Sequence, residues 1–213
     1  MRRIKIKLGG VMMFLAMLIS GRGELIALYL LAALIHELGH LIAARLLKIG
    51  VERIEIGASG VRICVCGGGY SYLAEMLLAF AGPLANLIAI SGVLTVAKCM
   101  GHQPRELLSA GLSLVGEEGG GILSAAGFFL LSSAAQAILN LIPIKSFDGG
   151  RILRCAAMLT LEERWAERIC GAIEGILVFC LWSASLYLML RASTGLGLFT
   201  LAVSMFFCIA EEK

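Results

Sequence analysis

The sequence predicts an all-α polytopic membrane protein of about six transmembrane helices, with a small β-hairpin between spans two and three. Three observations carry this. First, 59% of the 213 residues are hydrophobic and the mean hydropathy is +0.92, where soluble domains are ~45–50% apolar. Second, the apolar residues fall in runs approaching or reaching the ~17–25 residues that a membrane helix needs. Third, one stretch between two such runs switches to alternation at period two, the signature of strands. The length allows one helical bundle and no sizeable soluble domain beside it. A single domain over residues 1–213 is expected, with a core at about 24–151 and no PDZ or CBS domain.

Charge and cysteine usage narrow the function classes. The net charge is +3, and the basic residues are scattered or sit beside apolar runs without aromatic interleaving, so no nucleic-acid partner is implied. The seven cysteines are odd in number and show no C-x-x-C pair. Most lie in or beside apolar runs, where Cys behaves as a small hydrophobe. Cys64-Val65-Cys66 is the only close pair, and no disulfide framework follows.

In chain order, residues 1–7 are strongly basic and the run after them is apolar. Ser20-Gly21-Arg22-Gly23 is a poor cleavage site for a secretory signal. An uncleaved first span over residues 4–19 is therefore expected, short, with its lysines reaching the interface. Residues 24–47 form the second span and end in Arg45 and Lys48. Residues 49–72 are glycine-rich. Arg53-Ile54-Glu55-Ile56 and Val61-Arg62-Ile63-Cys64-Val65 alternate around Gly57-Ala58-Ser59-Gly60, which reads as a hairpin. It would either cap the bundle or offer an edge strand to an unwound substrate.

The third span, residues 73–100, is interrupted by Ala81-Gly82-Pro83-Leu84-Ala85-Asn86, where Pro83 is expected to kink the helix. Asn86 either satisfies a backbone or neighbouring-helix group, or faces a catalytic cavity and orients substrate. Residues 101–120 read as a polar loop holding His102, a solvated residue and not a metal ligand. The fourth span, residues 121–144, ends in Asn140-Leu141-Ile142-Pro143-Ile144-Lys145-Ser146-Phe147-Asp148-Gly149-Gly150-Arg151. Here the two glycines would let the chain turn sharply and leave Asp148 free to point inward. Taken alone, Asp148-Gly149 reads equally well as a surface turn. Residues 152–168 read as a loop and interfacial helix, residues 169–190 as the fifth span and 195–210 as a short sixth.

The chemistry lies in Leu34-Ile35-His36-Glu37-Leu38-Gly39-His40-Leu41-Ile42. On a helix His36 and His40 are one turn apart on one face, where two neutral imidazoles can grip one zinc ion. Glu37 is placed to act as a general base. Ionisable residues inside an apolar helix are costly, so they need a partner or a task.

Orientation follows from charge. With six spans, the amino terminus, the hairpin, the Asp148 loop and the carboxyl terminus share one side. Of the eighteen Lys and Arg, only Arg22, Lys98, Arg105 and Arg191 fall on the other, so the first side is cytoplasmic by the positive-inside rule. His36, His40 and Asp148 then lie at similar depth towards the cytoplasm. A catalytic zinc takes three protein ligands and keeps one position open, and Asp148 fits best as the third. The expected reaction is peptide-bond hydrolysis. The expected partners are a membrane-embedded or membrane-associated protein substrate and the lipid bilayer, with an inhibitory membrane partner conceivable.

Three motifs together, His36-Glu37-x-x-His40, Gly82-Pro83-x-x-Asn86 and Asn140-x-x-Pro143-x-x-x-x-Asp148-Gly149, resemble the site-two proteases (peptidase M50), intramembrane zinc metalloproteases. They occur in that family's order on the second, third and fourth expected spans. The resemblance implies Zn2+ held by His36, His40 and Asp148, with Glu37 as catalytic base, and Asn140 and Pro143 shaping the cleft near the substrate. Phe147 replaces the leucine usual before Asp-Gly. A span before the H-E-x-x-H helix and the short length are similar to the sporulation-type members (stage IV sporulation protein FB), which process a sigma-factor precursor in the bacterial cell membrane. The rival reading is a zinc-binding transporter or channel using the same ligands. That would call for more polar residues along the spans than Asn86, Gln136 and Asn140.

Overall fold

A computed structural model describes residues 3–6, 23–57, 60–65, 71–116 and 121–191. The chain runs β1 (Arg3–Ile6), α1 (Gly23–Leu46), β2 (Val51–Gly57), β3 (Gly60–Val65), α2 (Tyr72–Cys99), α3 (Pro104–Gly116), α4 (Ile122–Asn140), α5 (Asp148–Thr160) and α6 (Glu163–Arg191). Among the described residues α1, α2 and α4 are long and apolar enough to cross a membrane. Only 28%, 28% and 39% of their most apolar windows are buried within the protein. Large side chains such as Leu34, Ile42 and Ile88 lie open on the outside. A soluble protein does not leave such faces to water; lipid covers them. The chain is an integral membrane protein.

Helix α1 begins with Glu24 in its first turn and ends with Arg45 in its last, both complementary to the helix dipole. It closes with Lys48 in the left-handed region at φ 55°. There the Ile49 N–H donates to the Ala44 carbonyl at 2.8 Å and the Lys48 N–H to Arg45 at 3.1 Å, a Schellman ending. Helix α2 starts at Ser71, whose Oγ accepts from the Ala74 N–H at 3.2 Å. The expected interruption at Pro83 does not occur: α2 is one helix of 28 residues through it. A proline deletes a single ladder bond, whereas breaking a membrane helix exposes several backbone groups to hydrocarbon. Helix α1 packs closely on α2 at Gly39, where a Cβ would collide with the Ala81 carbonyl oxygen and stand 2.7 Å from the Ala85 Cβ. On its other flank α1 is tied to α4 by Gln136, whose Nε2–H donates to the Tyr29 carbonyl at 3.1 Å.

The polar loop expected over residues 101–120 is corrected. Residues 104–116 form α3, opened by Pro104 at its first position, with the Glu106 carboxylate accepting from the Gln103 N–H at 3.2 Å. Leu107 and Leu114 are buried. Gly111 lies against Gly127 of α4 so closely that a Cβ on Gly127 would strike the Leu107 carbonyl oxygen. Leu107 joins Ala97 of α2 and Leu130 of α4 in an apolar cluster. The helical period is carried by 107, 111 and 114, and a glycine at the middle position hides it from a hydropathy reading.

The strands form one sheet in the order β1-β2-β3. β1 runs parallel to β2 with Arg3 opposite Arg53 and Ile6 opposite Ile56. β2 and β3 are antiparallel with Ile54 opposite Ile63 and Gly57 opposite Gly60. β3 lies against α1. A first span starting at residue 4 is therefore corrected: Arg3-Ile4-Lys5-Ile6 alternates, and it pairs as a strand. The remainder of that span and the sixth span lie outside the described residues. The fifth falls within α6, which begins earlier, at Glu163, while much of the expected interfacial stretch is α5.

Candidate metal centre

Helices α1, α2 and α5 converge on one buried polar cluster. His36 and His40 project from one face of α1 and are 4% and 6% exposed; Asp148, the first residue of α5, is 8% exposed. The two rings stand nearly perpendicular, with centroids 4.8 Å apart. His36 Nε2 is 3.0 Å from Asp148 Oδ2, His40 Nε2 is 3.2 Å from the same oxygen, and the two Nε2 atoms are 3.2 Å apart.

Asp148 reaches this point through close backbone packing. The turn expected at Gly149 and Gly150 is corrected: both are helical, and neither has a positive φ among the described residues. A Cβ on Gly149 would strike the Leu141 carbonyl oxygen, and one on Gly150 the Ile144 carbonyl oxygen. The glycines thus let the first turn of α5 press against the segment leaving α4. Arg151 stands on the outer side of the carboxylate, its Nη1 3.9 Å from Asp148 Oδ1 and its Nε 3.7 Å from Glu75 Oε1. One carboxylate oxygen therefore faces the imidazoles and the other a cation.

These donors suit a metal ion of zinc's kind. Ligands at ~2.0–2.1 Å in a tetrahedron lie about 3.3–3.4 Å from one another. The three atoms here form a near-equilateral triangle with sides of 3.0, 3.2 and 3.2 Å. The Nδ1–H of His40 donates to the Leu78 carbonyl at 2.8 Å, which leaves the Nε2 lone pair for a metal. A Cβ on Gly82 would lie 2.6 Å from His36 Nε2 and closer still to His40 Nε2, so α2 packs its bare backbone directly against both nitrogens. Glu37 belongs to the same group: one donor atom each from His36, Glu37 and His40 lie within 4.8 Å of one another. Glu37 is half-buried, and its Oε2 has no hydrogen-bond partner.

The structure thus gathers His36, Glu37, His40 and Asp148. Asn86, expected either to face a catalytic cavity and orient substrate or to satisfy a backbone or neighbouring-helix group, stands against His36 of α1. It is fully buried, with its Nδ2 3.4 Å from His36 Nδ1. Asn140 is half-buried at the end of α4, and among the described residues no hydrogen bond ties it to the cluster. Pro143 lines a separate cavity of about 230 Å3 with Lys145, Leu153, Arg154 and Glu167. His102 pairs with Glu106 at 3.4 Å, away from the cluster. Gly82 and Leu78 were not singled out for the centre from sequence. The one-turn spacing of Leu78, Gly82 and Asn86 along one face of α2 is the signal that could have found them.

No protein-family model matches the chain, and no curated protein sequence matches it. Among solved structures, the chain is similar to the Site-2 Protease from Methanocaldococcus jannaschii, with a TM-score of 0.67 and 19% identity over 96% of this chain and 87% of that one. What is shared at that identity is the fold.

Proposed function

We propose that this chain is an intramembrane zinc metalloprotease of the site-two type, hydrolysing a peptide bond in or near the membrane segment of a protein substrate. The observation that carries the reading is the triangle of His36 Nε2, His40 Nε2 and Asp148 Oδ2 with the unpartnered Glu37 carboxylate beside it. This triangle is buried where two membrane-crossing helices meet α5. The likeness in fold to a Site-2 protease supports it.

His36, His40 and Asp148 would hold the ion. A bound Zn2+ supplies a Lewis acid that polarises a carbonyl and acidifies water. Glu37 takes a proton from the attacking water as the new C–O bond forms. It then delivers that proton to the departing amine as the C–N bond breaks. Arg151 holds the far oxygen of Asp148, leaving the near one to the imidazoles. A substrate helix hides its carbonyls in its own ladder, so it must unwind first. β3, an edge of the sheet lying against α1, is suited to pair with the unwound segment. Asn140 and Pro143 would contact substrate further from the ion.

Within this proposal the catalytic core is about residues 24–151 of a single domain, and the centre opens towards the cytoplasm of a bacterial cell, as the distribution of Lys and Arg suggests. The span expected before the H-E-x-x-H helix extends the proposal to a sporulation-type enzyme acting on a sigma-factor precursor or another membrane-bound regulator. The test is Glu37→Gln. The variant keeps its zinc, while cleavage of a co-expressed membrane-anchored substrate falls by about 10²–10⁴-fold. Undiminished cleavage would overturn the mechanism. Zinc flux into vesicles that persists in the variant would point to a transporter instead.

A further inference from the structure

Helix α2 meets the cluster along one ridge, Leu78, Gly82 and Asn86, each four residues after the last. Positions so spaced lie above one another on a single face. Each touches a different part of the cluster. The Leu78 carbonyl accepts from His40 Nδ1–H, Gly82 abuts both Nε2 atoms, and the Asn86 amide stands against His36 Nδ1.

We propose that Gly82 and Asn86 are positioning residues for the ion: Gly82 lets both imidazoles stand where they converge on it, and the Asn86 carbonyl oxygen holds the His36 proton on Nδ1. The inference deepens the metalloprotease reading and rests on it. For Gly82 the argument is steric. A methyl group there would stand within 2.6 Å of His36 Nε2 and nearer to His40 Nε2. Both distances are far inside van der Waals contact, so an alanine side chain must push the two rings off the positions from which they converge on one ion.

For Asn86 the argument is one of hydrogen-bond accounting. A neutral imidazole has one N–H. To offer Nε2 to a metal, His36 must carry that hydrogen on Nδ1, and whatever meets Nδ1 must accept. The Asn86 amide is the partner at Nδ1. Its Oδ1 is buried with no partner among the described residues, and a buried acceptor left unpaired is costly. A half-turn of the amide about its last side-chain bond exchanges Nδ2 for Oδ1, two atoms of nearly equal size. His36 Nδ1–H then donates to Oδ1, the orphan is satisfied, and the Nε2 lone pair faces Asp148 and His40. His40 has its acceptor in Leu78; Asn86 is the matching acceptor for His36.

The test uses the full chain, purified in detergent and stripped of metal, titrated with Zn2+ and with Co2+, whose visible absorption reports coordination directly. Gly82→Ala is expected to lose at least 100-fold in affinity for both ions while still unfolding in one cooperative transition. Asn86→Leu is expected to lose about 10–100-fold, the usual effect of removing the outer partner of a metal-bound histidine. Asn86→Asp, which presents only acceptor oxygens, is expected to bind within a few-fold of wild type and to keep its Co2+ spectrum. Wild-type affinity in Gly82→Ala overturns the steric half. Equal losses in Asn86→Asp and Asn86→Leu overturn the tautomer half. Gly82→Ala that fails to fold even with Zn2+ present also overturns the Gly82 half, since the glycine then serves the fold and not the ion, and the Asp-against-Leu comparison still decides the tautomer half. Absence of binding by the wild-type chain overturns the metalloprotease reading itself, an outcome distinct from the others.

Discussion

Helix α2 joins two buried regions of opposite kind. Around Gly82 and Asn86 it meets α1 and α5 in a polar cluster of two imidazoles, a carboxylate and an amide. About 22 Å further along its axis, Ala97 meets Leu107 and Leu130 in an apolar cluster with α3 and α4. Both regions rely on glycine for close approach, yet the atoms approached differ. Gly127 makes room for a backbone carbonyl, that of Leu107, and so for packing. Gly82 makes room for two imidazole nitrogens, those of His36 and His40, and so for the polar cluster. The neighbour of a buried glycine, more than the glycine itself, distinguishes a structural position from a functional one.

The comparison predicts that damage at the two ends of α2 separates into stability and chemistry. The largest effect should come from Gly127→Leu. Its Cβ meets backbone that cannot move without parting α3 from α4, so overpacking of at least about 1–3 kcal/mol is expected. Thermal unfolding in detergent should show a sharply lowered midpoint, with cleavage and metal binding lost only as the fold is lost. Next comes Asp148→Asn at the polar end. Zinc affinity should fall by well over tenfold, as a neutral amide replaces a charged ligand. The midpoint of the metal-stripped protein should move far less than in Gly127→Leu. If both variants lower the midpoint equally, the two regions do not divide as described. The smallest effect should be that of Lys48→Gly, remote from both. It relieves a left-handed residue at the end of α1 at a gain of at most about 1 kcal/mol, with no change in zinc content.

The membrane class and the residues of the buried polar cluster were legible in the sequence, for different reasons. Hydropathy marks α1, α2 and α4 because lipid demands a long apolar run. His36, Glu37 and His40 stand out because ionisable groups in such a run need a task. Asp148 could be placed at their depth by charge asymmetry alone. Structure held by contacts between distant segments leaves no such mark. α3 is hidden because its central packing position is Gly111, which scores as loop-like until Gly127 is seen opposite. β1 was merged into an apolar run because its partner, β2, lies nearly fifty residues on. The sequence argued a turn at Gly149 and Gly150, where the fold instead needs their small size against the Leu141 and Ile144 carbonyls. Asn86 was ambiguous because one residue cannot reveal which ring it faces.

The claim on which the rest depends is that two imidazoles and one carboxylate hold a single metal ion, and zinc-edge X-ray absorption on the purified chain tests it most directly. The prediction is one zinc per chain with nitrogen and oxygen neighbours at about 2.0–2.1 Å and no sulfur. Zinc with a sulfur shell at about 2.3 Å, or a chain that retains no stoichiometric zinc, would contradict it.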